Sequence, residues 1–251
     1  MKISFTKKHY IGFASVASII IVWKLLALYF NSSFIVPHPE DTFLTVAKLI
    51  VSEDFLRVAG STIMRGIAGF IISAILGIGV GIIAGISSVF NTFINPFLVT
   101  IRSTPVISLI LLALIWFSSG MVPVFIAMLT MFPFICTNVV DGIRSVDHDL
   151  IEMALFYKVG RRKIISEVYI PAIMPFIISG ASSAMGIGWR AIIIGEVLSQ
   201  PHYGIGTTMQ SAQTFLNVDA VIAWTLIAVL ISYVFEKIIR WSEHKIVIWR
   251  E

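Results

Sequence analysis

The residue types that carry enzymatic chemistry are present in this 251-residue chain, but they are not grouped for it. Nucleotide hydrolysis would need a phosphate-cradling G-x-x-x-x-G-K-[ST] loop, and no such run occurs. The five histidines (His9, His38, His148, His202 and His244) are scattered rather than set at ligand spacing. No H-E-x-x-H or G-x-S-x-G stands in a sensible context, and the single Cys136 excludes a disulfide framework and a multi-thiolate metal site. No cofactor is expected, and an enzyme is the minority reading. What remains is charge inside apolar runs. Arg190 and Glu196 fall at membrane depth, where a charged side chain costs about 2.5–3.5 kcal/mol and normally faces a cavity or a partner. Six residues turn a helix by about 240°, so the two do not pair on one straight helix. For each, a place in a permeation pathway and a structural polar contact between helices both stand. Lys24 and Arg65 lie near the ends of their apolar runs and are expected to snorkel to the headgroups.

The elements that must hold these charges are membrane spans. Hydrophobic residues make up 57% of the chain, charged residues only 13%, and mean hydropathy is +0.94. A soluble domain is about 25% charged, so the polar surface a soluble enzyme or secreted domain requires is missing. No charged residue occurs between Arg65 and Arg102 or between Arg102 and Asp141. Each interval exceeds the roughly 20 residues that cross a bilayer. With Asn95-Pro96, Ser103-Thr104-Pro105 and Ser118-Ser119-Gly120 as breaks, six spans are read: 11–30, 62–86, 104–118, 122–140, 172–199 and 220–239. The first is read as a retained span rather than a signal peptide, because no small-residue cleavage site follows it. The chain is thus expected to be an all-α membrane protein of one domain, 1–251, with a core at 62–240.

Orientation follows from the basic residues. With the N-terminus inside, Lys2, Lys7, Lys8, Arg102, Arg144, Lys158, Arg161, Arg162, Lys163, Lys237, Arg240, Lys245 and Arg250 all face the cytoplasm, and only Lys48 and Arg57 lie outside. The expected topology is N-in, C-in. The net charge of +4 is mostly this asymmetry and does not point to nucleic acid. The outer segment 31–61 has room for a short interfacial helix, and Gln200–Val218 for a turn and helix at the outer mouth.

Gly69, Ser73, Gly77, Gly81 and Gly85 recur every four residues and form a small-residue ridge that lets another helix approach closely in lipid. Static packing is the plainer reading, and a sliding contact the functional one. Gly180, Ala184 and Gly188 make a weaker ridge, which Glu196 continues toward protein rather than lipid.

The loop 141–171 carries E-M-A-L-F-Y-K-V-G-R-R-K-I-I-S-E-V-Y-I-P from Glu152 to Pro171. Apolar residues at helical spacing (Met153, Ala154, Phe156, Tyr157, Ile164, Ile165, Val168) predict an amphipathic helix–turn–helix, with Asp147 or Asp149 as its N-cap. Such a face binds a partner protein, lies on anionic lipid, or tucks against the bundle.

This segment resembles the EAA loop of ABC importer permeases, E-A-A, three residues, G, nine residues, I-x-L-P. Glu152 and Ala154 match its first and third places, and Val168, Ile170 and Pro171 its last. Met153 replaces the second alanine, and Lys158 takes the glycine place, with Gly160 two residues on. Val36-Pro37-His38-Pro39, Ser61–Gly69, Arg102-Ser103-Thr104-Pro105, Ile115-Trp116-Phe117, Pro171–Pro175 and Gly195-Glu196 are similar to the nitrate/sulfonate/taurine branch of that family. The resemblance covers about residues 20–240. Ser118-Ser119-Gly120 departs from it where the branch has glycine directly after Trp-Phe.

The resemblance implies a permease subunit of the cell (inner) membrane. A second, identical copy would share one pathway with it, and two cytoplasmic ATPase subunits would sit on the loop around Glu152–Gly160, with Ile170 and Pro171 closing the motif. An extracytoplasmic binding protein would deliver a small solute, an oxyanion, an organosulfonate or a thiamine-precursor pyrimidine. The alternatives are a self-sufficient secondary transporter or channel, and a membrane scaffold.

Overall fold

A computed structural model describes residues 5–246, with side chains described for 10–241. Lys2 and Arg250, and the side chains of Lys7, Lys8 and Lys245, which entered the charge count, lie outside the described residues, as do those of His9 and His244. Eleven helices follow one another: α1 (Phe5–Phe30), α2 (Pro39–Val51), α3 (Phe55–Ile86), α4 (Ser88–Ser103), α5 (Val106–Trp116), α6 (Val122–Arg144), α7 (His148–Phe156), α8 (Arg161–Ile164), α9 (Ile170–Ser199), α10 (Ile205–Thr214) and α11 (Val218–Ile246). Among the described residues, five helical stretches are long and apolar enough to cross a membrane, six if α4 and α5 count as one bent span.

The small-residue ridge of α3 explains the centre of the bundle. A Cβ on Gly69 would lie 2.7 Å from the Ala127 Cβ, on Gly77 2.9 Å from that of Ile135, on Gly81 2.7 Å from that of Val139, and on Gly85 2.8 Å from that of Ile143. Ser73 donates to the Met128 carbonyl at 2.9 Å. Advancing four residues along α3 advances the partner on α6 in the same direction, so these two helices run parallel. The α9 contacts run the other way: Gly195 meets Pro123, Gly188 meets Met131, Gly180 meets Asn138, and Gly142 of α6 meets Phe176. α9 is therefore antiparallel to α6. A core of Ala127, Met131, Ile135 and Val139 on α6 with Ala184, Met185, Trp189 and Ile192 on α9 fills this three-helix sandwich. Filling the ridge is costly: Gly81→Ala puts a methyl against Val139, and overpacking of this kind costs about 1–3 kcal/mol. The expected result is a lower melting temperature in detergent, with Gly79→Ala, which meets nothing within 4 Å, as the unchanged control.

The parallel course of α3 and α6 requires the chain to return along the bundle between Ile86 and Val122. The expected straight span at 104–118 is not what does this. α5 has only 11 residues, about 16 Å, and α4 and α5 are bent by 98° at their junction. Nor does Asn95-Pro96 break the chain, since Pro96 lies inside α4. The break is at Thr104, which takes φ −74°, ψ 130°, the extended conformation that a following proline, here Pro105, favours for the residue before it.

Three further boundaries differ from expectation. α3 begins at Phe55 rather than near 62. The loop helix–turn–helix does not end at Pro171: α8 continues into α9 through one π-turn, in which the Ile170 N–H bonds the Ile165 carbonyl. Pro171 and Pro175 each lack an N–H and crowd a carbonyl four residues earlier, and the widened turn precedes both. Finally, Lys24 has a partner on α2. Its Nζ donates to both Glu40 oxygens at 2.8 and 2.9 Å, and this holds the Glu40 carboxyl below its ordinary range. Trp23 Nε1 donates to the Pro37 carbonyl at 3.1 Å, so α1 is tied down at one end while most of its length stays exposed and apolar.

Candidate functional site

Two features at opposite ends of the bundle stand out: a protruding helix at the α7 end, and a buried charged cluster under α10.

The Asp147 carboxylate caps α7, accepting from the Asp149 N–H at 2.9 Å. No residue of α7 is buried. Glu152 and Met153 are exposed, Ala154 is half-buried, and Leu155, Phe156 and Tyr157 are 56%, 83% and 73% exposed. Among the described residues Glu152 makes no hydrogen bond or ion pair. The turn that ends α7 answers what the sequence left open. Lys158 has φ 55°, its N–H bonds the Leu155 carbonyl at 2.9 Å, and the Val159 N–H bonds that of Ala154 at 2.9 Å. This is the Schellman pair of bonds, with a lysine at the left-handed position that glycine ordinarily fills. The chain therefore turns at the glycine place of the motif, and Gly160, with φ −65° at the start of α8, does not take that job over. Holding a non-glycine residue there costs about 1–2 kcal/mol. Lys158→Gly is expected to raise the stability of the turn by about 1 kcal/mol, seen as slower amide exchange in 153–160. Ile170 is exposed and Pro171 half-buried on the following helix.

At the other end, Glu196 of α9 is fully buried. Arg65 of α3 donates from Nη1 to Glu196 Oε1 at 2.6 Å and to the Tyr203 carbonyl at 2.7 Å. Thr62 Oγ1 lies 3.0 Å from both carboxylate oxygens and accepts from the Ile205 N–H at 2.9 Å. The Gly206 N–H donates to Glu196 Oε2 at 2.9 Å. These bonds join α3, α9 and the first turn of α10, where the Gly206 amide reaches the carboxylate directly, as helix N-termini favour, and the Ile205 amide reaches it through Thr62. Arg65 thus does not snorkel, because its head is taken by a carboxylate within reach and its side chain is only 16% exposed. The glycines of Tyr203-Gly204-Ile205-Gly206 gain a reason. A Cβ on Gly204 would lie 2.7 Å from the Glu196 carboxyl carbon, and one on Gly206 2.4 Å from the Ile193 carbonyl oxygen. Thr62 as a partner, and the packing of this glycine pair against Glu196, were missed in the sequence. The available signal was elimination: Arg65 opens a 36-residue charge-free run, and Glu196 is an acid in a comparable apolar setting. Arg190 lies elsewhere, exposed on the opposite face of α9 from Glu196's surroundings, and does not meet Glu196.

Under α10, Ile205 packs with Val58, Ala59, Trp224 and Ile227, and Phe55 stacks on Trp224. Asp219 at the start of α11 accepts from Thr42 at 2.7 Å and from Thr45, fixing α2 across this end.

A helix protrudes at one end of the bundle and a buried charged cluster closes the other, and the comparisons with known proteins decide what such a bundle belongs to. Residues 77–248 match the profile of the binding-protein-dependent transport system inner membrane component. The chain belongs to that family. It is 30% identical to a putative ABC transporter permease protein of Methanocaldococcus jannaschii, over 98% of this chain and 94% of that protein. It is also 30% identical to the putative aliphatic sulfonates transport permease protein SsuC of Bacillus subtilis, over 93% of this chain and 85% of that one. Identity to the taurine transport system permease protein TauC of Escherichia coli is 23%, over 90% and 84%. The fold is similar to that of the MetNI methionine ABC transporter in inward-facing conformations, with a TM-score of 0.62 at 15% identity over 78% of this chain and 98% of that one. The permease is accordingly a multi-pass protein of the cell membrane and the translocation subunit of an ABC importer. ATP is hydrolysed by a separate subunit, and a binding protein belongs to the system.

Proposed function

We propose that α7 is the handle by which two ATPase subunits drive two identical copies of this permease, each copy a single domain over 1–251 in N-in, C-in orientation. The carrying observation is the exposure of α7: Glu152, Met153 and Phe156 are exposed, Glu152 makes no hydrogen bond or ion pair among the described residues, and the Phe156 ring meets only the edge of the neighbouring Tyr157 among the described ring contacts. Glu152, Met153 and Ala154 form the contact, Lys158 and Gly160 set the turn, and Ile170 and Pro171 carry the motion into α9. Arg144, Lys158, Arg161, Arg162 and Lys163 gather at this end, whereas Gln200–Val218 has neither lysine nor arginine, which supports a cytoplasmic α7. Alternating access is then a two-state equilibrium, and the ATPase dimer biases it by binding one state better. The α3 ridge serves as the packed seam along which α6 is carried, and the Arg65–Glu196 pair secures α10 at the extracytoplasmic mouth, where the binding protein delivers solute. The solute is a small molecule of the kind named for the relatives, a sulfonate, taurine or bicarbonate. Co-purification of the permease with an ATPase encoded beside it tests this reading. The expected complex holds two ATPase subunits and two permeases, and solute uptake by the permease alone would contradict it.

A further inference from the structure

The exposed positions of α9 fall on one face at steps of three and four: Ser183, Ile187, Arg190, Ile194 and Leu198. Arg190 is nine residues from the end of α9 at Ser199, about 13 Å along the axis, so its guanidinium sits deep in the span. Among the described residues it makes no ion pair or hydrogen bond, in contrast to Arg65. Hydrocarbon cannot face such a group without heavy cost, a cost that is avoided where Arg190 meets a polar cavity or a protein partner.

Beside Arg190 runs a cleft of about 520 Å³ between α9 and α11, walled also by Trp189, Thr225, Ser232, Tyr233 and Glu236. A smaller recess, which shares Arg190 and Glu236, adds Ser182 and Ser183. Glu236 is the carboxylate in this lining, and it is already held by Arg240 at 2.9 and 3.0 Å. Arg190 and Arg240 outnumber the one carboxylate here, which leaves this lining with a net positive charge. Trp189 is 3% exposed, and its Nε1 has no acceptor. The indole N–H is itself closed off from solvent, so the donors open to the cleft are the five guanidinium N–H bonds, with hydroxyls able to donate nearby, and the lining carries two arginines to one carboxylate. That inventory fits a small solute carrying a negative charge on acceptor oxygens, such as a carboxylate, a sulfonate or an inorganic oxyanion, since charge-assisted bonds to a planar guanidinium are the strong ones.

We propose that this cleft is an anion-binding station inside the permease, and that Arg190 distinguishes an anion from a neutral solute there. The proposal rests on the permease reading above and adds that selection is repeated within the membrane after the binding protein has released its cargo. In the two-copy assembly proposed above each permease contributes an Arg190, neither of which can neutralise the other, so an anion between them would serve both.

The test uses the permease–ATPase complex in discs of zwitterionic lipid, in chloride-free buffer, titrated with ¹³C-methanesulfonate. Dimethyl sulfone, of similar shape and without charge, is the comparison probe. Saturable NMR line broadening is expected for the anion and not for the sulfone. R190K should retain binding within about threefold, and R190Q should weaken it at least tenfold. Lipid without anionic headgroups removes a headgroup as the source of the effect. Equal binding of the sulfone, unchanged binding by R190Q, or no saturable binding by the wild type would each overturn the proposal. R190Q is expected to hold the ATPase as the wild type does. An ATPase absent from the wild-type complex would break the permease reading instead, so the two failures are distinct.

Discussion

Glu196→Ala is expected to destabilise the permease by about 3–5 kcal/mol, the usual cost of removing one partner from a buried ion pair. The side chain is the shared acceptor for the Arg65 guanidinium, the Thr62 hydroxyl and the Gly206 N–H. Alanine leaves all three facing a void and strands a charge that is mostly covered. Glu196→Gln keeps an acceptor for Gly206 but turns an amide toward Arg65, and about 1–3 kcal/mol is expected from the weakened bonds. The double variant Arg65→Leu/Glu196→Leu removes both charges and should recover part of the loss, because the penalty lies in the unpaired charge rather than in the absent bond. Thermal melting of the detergent-purified protein ranks the four proteins. A Glu196→Ala protein that melts with the wild type would show that the cluster is solvated and not the clamp described here. Amide exchange in 205–214 should rise with the same ranking, since Gly206 loses its acceptor and Thr62, which holds the Ile205 N–H, loses its own partner.

The second large effect is expected at Glu152. Glu152→Arg reverses a charge on a helix with no buried residue, so the fold should be unaffected: the melting temperature is expected to stay within about a degree of wild type, as for a surface change worth less than 0.5 kcal/mol. Binding should change far more. A charged side chain near the middle of a small protein contact is typically worth about 2 kcal/mol, roughly thirtyfold in affinity, and uptake should fall in proportion. The split between unchanged stability and lost ATPase binding is the signature. A fall in both together would place Glu152 in the fold instead.

The spans were legible because the bilayer imposes a length and a composition that a sequence cannot hide. α6 and α9, at the centre of the core, were read to within a few residues, and the four-residue periodicity of α3 was visible because only small residues permit a backbone approach this close. Less legible was everything decided between elements. Pro96 reads as a breaker, yet an exposed stretch of α4 tolerates it, whereas Thr104 breaks the helix because its neighbour Pro105 constrains it. The partner of Arg65 is 131 residues away in sequence, and no local pattern announces it; a charge read alone near a helix end is assigned to the headgroups by default. Lys158 was legible as a departure from the motif, but its consequence was not. A left-handed lysine appears only once the two carbonyls of α7 that its turn satisfies are seen.

The central claim is that α7 stands in the cytoplasm and is covered by the ATPase. Phe156→Cys, in a background where Cys136 is buried, can be labelled with a membrane-impermeant maleimide in right-side-out and inverted vesicles. The account predicts labelling in inverted vesicles only, and protection when the ATPase subunits are bound. Labelling from the outside, or equal labelling with and without the ATPase, would contradict it.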